Sequence, residues 1–137
     1  MTRFVVDSSV TLAWCLKDER NAYARKVEDA VIEGVAIAPA LWPFEVANAL
    51  AMAERRSQIS PSEREQILEM LAAMGVLVEA PPPVVPRDLV SLSQRWGLTA
   101  YDAAYLQLAI AQNVPLATID AALAKAARAN RVEVLFD

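Results

Sequence analysis

The sequence predicts an α/β fold, a three-layer α/β/α arrangement. Its central, mostly parallel sheet has four to five short strands, surrounded by about seven helices. Three observations predict it. Short β-rich runs alternate with helical patterns along the whole chain, the order that gives a parallel sheet covered on both faces. The length, 137 residues, suits one domain spanning 1–137 with a respectable core. Apolar residues make up 55% of the chain and charged residues 22%, which excludes the disordered class.

The elements follow in order. Arg3 to Val6 reads as a buried strand, and Asp7-Ser8-Ser9 opens an apolar helix directly after it. Asn21 to Glu33 is amphipathic, with Ala24, Val27, Val31 and Ile32 at helical spacing; Gly34 stops it. Val35 to Ala38 is a second strand, closed by Pro39. Pro43 suits a first helical turn and opens a helix to about Arg55. Ser60-Pro61-Ser62-Glu63 is a capping box with proline in its favoured place, so a helix runs to about Met74 and ends at Gly75. Val76 to Glu79 reads as a third strand. Pro81-Pro82-Pro83 and Pro86 make a stiff extended surface loop, since neither side has enough material to stand alone as a domain. A helix follows to about Trp96. Thr99 caps another, Ala100 to Gln112, whose all-round apolar pattern predicts a buried central helix. Leu116 to Ile119 is a fourth strand, Ala121 to Ala129 a helix, and Glu133 to Phe136 a last strand.

Composition removes several function classes. The net charge is −4, so the basic face that nucleic-acid binders usually carry is missing. A polynucleotide substrate would require bound metal and local cations such as Arg55 and Arg56 to offset repulsion. The single cysteine, Cys15, excludes an internal disulfide and a Cys-rich zinc site, and its apolar surroundings suggest a core thiol. Arg3 and Asp7 interrupt the start, which suits no signal peptide, and no uncharged run reaches transmembrane length. A soluble, cytoplasmic protein without membrane contact is expected. The apolar share favours a dimer or a protein partner over a lone monomer, although an alanine-rich helical core gives the same number.

Four acids, Asp7, Glu45, Asp102 and Asp120, each stand where an apolar run gives way to a helix start, in a chain without histidine. Taken singly each has a plain explanation: Asp7 and Asp120 are good N-caps, and Glu45 and Asp102 favour the positive end of a helix dipole. Taken together they point elsewhere. In parallel sheets the ligand crevice lies beyond the carboxyl ends of the strands, so the fold rule brings all four to one corner. Two unit charges ~4 Å apart repel by about 4 kcal/mol at an effective dielectric near 20. A helix end returns only roughly 0.3–1 kcal/mol per charge. A magnesium or manganese ion held by oxygen ligands explains such a cluster better than a coincidence of caps.

Uncharged polar residues flank the acids: Ser8 and Ser9 after Asp7, Asn48 one turn after Glu45, Thr118 two before Asp120. Local capping and a supporting role around the acids are equally good accounts of them. A nucleophilic serine is disfavoured, since no histidine is available and no lysine is nearby in sequence. The only glycines, Gly34, Gly75 and Gly97, form no phosphate loop. Of Trp14, Trp42 and Phe44, core packing is expected for at least two. Lys17-Asp18-Glu19-Arg20 reads as a solvated loop or as the rim of the site, and Lys125, Arg128 and Arg131 as a solvated face.

These residues also carry a resemblance. Phe4-Val5-Val6-Asp7-Ser8-Ser9, Glu45-Val46-Ala47-Asn48, Leu98-Thr99-Ala100-Tyr101-Asp102-Ala103-Ala104-Tyr105 and Leu116-Ala117-Thr118-Ile119-Asp120 resemble the PIN-domain family, most closely its VapC-type toxins of bacterial toxin–antitoxin pairs. The Thr-Ala-Tyr-Asp-Ala-Ala-Tyr run is the most specific piece. The resemblance implies a metal-dependent endoribonuclease, with Asp7, Glu45 and Asp102 as the three principal acids and Asp120 as the more variable fourth. Ser9 and Thr118 match the family's hydroxyl positions and Asn48 its polar position. It also implies Mg2+ or Mn2+, an RNA substrate read in a structured loop, a homodimer, and inhibition by a cognate antitoxin. The expected reaction is in-line attack of an activated water, leaving a 5′-phosphate and a 3′-hydroxyl.

Three rivals stand beside it. A haloacid-dehalogenase-like phosphatase wants a second aspartate where Ser9 stands. A nuclease for ribosomal RNA processing or DNA flaps would be a sibling activity, against which the small size and absent zinc module weigh. A non-catalytic PIN-like module that assembles with an antitoxin or another protein is the rival from a different class.

Overall fold

Successive side chains of a strand point to opposite faces, so a strand that is apolar throughout needs cover on both. The first strand, β1 (Arg3–Val6), is of this kind: Phe4, Val5 and Val6 are all fully buried. The computed structural model describes residues 1–137. In it β1 lies inside a four-stranded sheet with β2 (Val35–Ala38), β3 (Leu77–Val78) and β4 (Leu116–Ala117), in the order β3-β2-β1-β4 and parallel throughout.

Seven α-helices cover it: α1 (Ser8–Cys15), α2 (Ala22–Glu33), α3 (Trp42–Arg55), α4 (Pro61–Met74), α5 (Arg87–Trp96), α6 (Ala100–Gln112) and α7 (Ala121–Ala129). The pleat sorts the core into two layers. Phe4, Val6, Ala36 and Ala117 pack with Val10, Ala13 and Trp14 of α1 and Ala24, Val27 and Val31 of α2. Val5, Ile37 and Leu116 pack on the other side with α3, α6 and α7. The expected three-layer α/β/α arrangement is therefore the one observed.

Local chemistry sets the helix ends. Asp7, Asn21, Ser60, Thr99 and Asp120 each accept a backbone N–H of the first turn. Ser60 and Glu63 complete the expected capping box, and Gly75 closes α4 in the left-handed conformation. Gly34 serves a different need: a Cβ there would lie 2.3 Å from the Thr2 carbonyl oxygen, so only glycine lets α2 pass into β2 beside β1.

Four expectations are corrected. The third strand is only Leu77–Val78, because this exposed edge pairs with β2 at just two positions. The fourth stops at Ala117, where the chain turns away to place Thr118 and Asp120. Glu133 to Phe136 makes one parallel bridge, Leu116 to Val134, rather than a full strand. Helix α6 is not buried all round: Ala103 to Leu106 and Ala109 face inward, while Tyr101 is 64% and Ile110 44% exposed. The 81–86 segment is a surface loop as expected, and Lys17–Glu19 winds into one exposed 3-10 turn. Trp14, Trp42 and Cys15 are buried; Phe44 is 77% exposed.

Candidate active site

Asp7 immediately follows β1, and the sheet buries it to 3% exposure. Its Oδ1 accepts the Val10 backbone N–H at 3.0 Å and the Ser9 hydroxyl at 2.7 Å, and its Oδ2 accepts the Thr118 hydroxyl. Both hydroxyls are used twice. Ser9 Oγ accepts the Ile119 N–H at 3.1 Å, and Thr118 Oγ1 accepts the Asp120 N–H at 3.0 Å. The ends of β1 and β4 are thus stitched together through one carboxylate. Burial pushes that carboxyl up to about 6, its three donors pull it back in part, and the charge of Asp102 raises it further.

Asp102 and Asp120 enter from the other helix starts. Asp102 is in the first turn of α6, where Thr99 Oγ1 accepts the Asp102 N–H at 3.1 Å. Burial first, and then the charge of Asp120, raise its carboxyl above the ordinary value, with the Thr99 hydroxyl opposing. Asp120 caps α7 by accepting the Leu123 N–H at 2.8 Å and is exposed. Asp7, Asp102 and Asp120 therefore form a chain of mutually repelling carboxylates, as the fold rule anticipates.

Glu45 lies in the first turn of α3 and reaches the group through Tyr105 of α6, whose hydroxyl donates to Glu45 Oε1 at 2.5 Å. Tyr105 is fully buried, and its proton is held strongly: burial, and then the Glu45 carboxylate, push the phenol far above its ordinary value. A second tie fixes the start of α3, where the Trp42 indole donates to Thr11 Oγ1 at 2.9 Å and Thr11 donates to the Asp7 carbonyl at 2.8 Å. Sequence reasoning gave Tyr105 and Thr11 no role. The signal for Tyr105 was a phenol three residues after Asp102 in an otherwise apolar run, since a buried tyrosine hydroxyl needs a partner.

Other candidates fall outside. Asn48 is exposed one turn after Glu45, and its amide donates to Met52 Sδ at 3.7 Å. Arg55 and Arg56 end α3, about 15 Å along the helix from Glu45, so they stand apart from the acids themselves. Lys17 to Arg20 line a cleft of about 370 Å³ with Trp14, Glu63 and Met70 that contains none of the four acids. No arginine or lysine pairs with any of the four; the ion pairs join Arg64 to Glu54 and Glu65, and Arg128 to Asp137.

The donor set suits a hard divalent cation: carboxylate oxygens only, no thiolate or imidazole, and repulsion that a cation would relieve. As the side chains stand, no three of them are grouped closely enough to hold an ion. No helix is long and apolar enough to cross a membrane.

Comparison with known proteins fits this arrangement. The family model described as PIN domain matches residues 4–129. Ribonuclease VapC1 of Mycobacterium tuberculosis is 39% identical over 113 residues, covering 77% of this chain and 83% of that protein. Ribonuclease VapC3 of Pyrobaculum aerophilum is 31% identical over 125 residues, covering 90% and 93%. The crystal structure of PAE2754 from Pyrobaculum aerophilum shares the fold, with a TM-score of 0.69 at 22% identity over 91% of this chain and 86% of that one.

Proposed function

The chain belongs to the PIN-domain family, and on that premise we propose that it is a VapC-type endoribonuclease that uses Mg2+ or Mn2+ and is neutralised by a cognate antitoxin. One observation carries the reading: carboxylates from the ends of β1 and β4 and the starts of α3 and α6 are linked at one histidine-free corner without a cationic side chain. The two ribonuclease relatives support the choice of RNA as substrate.

Asp7, Glu45, Asp102 and Asp120 would hold the cation. A bound magnesium or manganese ion supplies Lewis-acid polarisation of the phosphodiester and a water acidic enough to attack at neutral pH. The chain's own residues do the rest. Ser9, Val10 and Thr118 fix both oxygens of Asp7, so that carboxylate is preorganised. The Ser9 hydroxyl donates to Asp7 and accepts the Ile119 N–H, so it acts as a strut between β1 and β4, and water is the nucleophile. Asn48, exposed one turn after Glu45, would orient RNA. Attack by water in line with the leaving 3′ oxygen gives a 5′-phosphate and a 3′-hydroxyl. The protein is expected to act in the cytoplasm as a homodimer on a structured RNA loop, where unpaired bases are open to recognition.

A pulse of expression of wild type and of Asp7→Asn, with new 5′-phosphate RNA ends mapped across the transcriptome, tests the reading. Discrete ends that appear with wild type alone support it. Cleavage by a well-folded Asp7→Asn at the wild-type rate would sink it. The second reading, a non-catalytic module that binds an antitoxin or another protein, draws on the spacing of the acids, no three of which are grouped to hold an ion. Metal binding without RNA turnover, in protein free of antitoxin, would select it.

A further inference from the structure

We propose that Tyr105 is a positioning residue for Glu45: its hydroxyl pins Oε1 and leaves Oε2 as the oxygen offered to the cation. The inference rests on the reading that the four acids hold a divalent ion.

The argument is geometric. Glu45 is half-buried on α3, and glutamate has a long side chain with many rotamers, so an unrestrained carboxylate would spend little time at the corner. Tyr105 has a stiff ring with no exposed surface, locked in the core with Ile37, Leu106 and Leu116. It stands one turn after Asp102 on the same helix, so Tyr105 and Asp102 are carried as one rigid piece. Its 2.5 Å bond to Glu45 is the one hydrogen bond between α6 and α3. Glu45 and Asp102, acids from distant parts of the sequence, are registered by that contact between Glu45 and Tyr105, sixty positions apart. A carboxylate held in this way is preorganised as a ligand, and groups that orient ligands typically govern affinity by about 10- to 100-fold.

The rival account is that Tyr105 merely fills the core with its hydroxyl satisfied. Tyr105→Phe keeps the ring and removes the bond. Manganese binding by calorimetry at pH 7.5, on wild type, Tyr105→Phe and the core control Leu106→Val, separates the two. Positioning predicts an affinity at least about tenfold weaker in Tyr105→Phe, an unchanged one in Leu106→Val, and a kcat that recovers when manganese saturates. Glu45→Asp keeps a carboxylate but shortens its reach by one methylene, so the Tyr105→Phe/Glu45→Asp pair should lose little more than either single change. If the phenylalanine variant does not fold, Glu45→Asp alone breaks the contact from the exposed side, and wild-type manganese affinity in it overturns the positioning role. Wild-type affinity in Tyr105→Phe, or full additivity of the pair, overturns the positioning role and leaves the metal reading intact. Absence of manganese binding by wild type, with Asp7→Asn identical to it, overturns both.

Discussion

At the scale of the residue, the protonation of Asp7 has a sign that can be measured. Its folded value of about 6 lies above the ordinary carboxyl value of 3.8, so the folded chain holds that proton more tightly than the unfolded one. The resulting stability is present below the unfolded value and is lost as pH rises through about 6, an effect of roughly 3 kcal/mol. In chelator, the melting temperature of wild type should fall between pH 4 and pH 7, and that of Asp7→Asn should fall by less. Identical pH slopes for the two proteins in thermal melts would refute the assignment. The four acids were legible as residues, because each sits at a strand end or helix start where the fold rule applies. What holds them was not. Tyr105, Thr11 and the double use of Ser9 and Thr118 depend on contacts across 31 to 111 positions of sequence, which no local pattern encodes.

At the scale of the element, caps and turns are local chemistry and were read closely, to the residue for Ala100–Gln112 and Ala121–Ala129. Strand lengths were not, because a strand ends where its partner ends. Leu77–Val78 has only β2 beside it, and Val134 meets β4 at a single bridge. The burial of α6 was overread for a related reason: apolar residues on its open side look the same in sequence as those on its packed side. Two substitutions test elements directly. Gly34→Ala should destabilise by about 1–3 kcal/mol, since the new methyl meets backbone at 2.3 Å with nothing flexible to yield. Ser60→Ala should cost about 1 kcal/mol by removing one half of the capping box on α4. Urea unfolding midpoints check both, and a neutral Gly34→Ala would show that the Thr2 backbone relaxes.

At the scale of the whole molecule, a net charge of −4 means that little long-range attraction brings RNA to the surface. Divalent ions should therefore promote RNA binding beyond what equal ionic strength in monovalent salt does, which filter binding of wild type with Ca2+, another hard oxygen-seeking cation, measures. The same ions should also stabilise the fold. At a hundredfold excess over its dissociation constant a ligand adds about 2.7 kcal/mol, so manganese at pH 7.5 should raise the melting temperature by several degrees in wild type and by much less in Asp7→Asn. The order of the sheet adds a matter of timing. β1 emerges from the ribosome before β4, its neighbour in the sheet, and the hydroxyl that anchors Asp7 comes 111 positions after it. Until Thr118 and Asp120 have been made, the nascent chain carries Asp7 with no partner for Oδ2 and no Asp120 beside it. The corner can therefore assemble only after the chain has been made at least to Asp120.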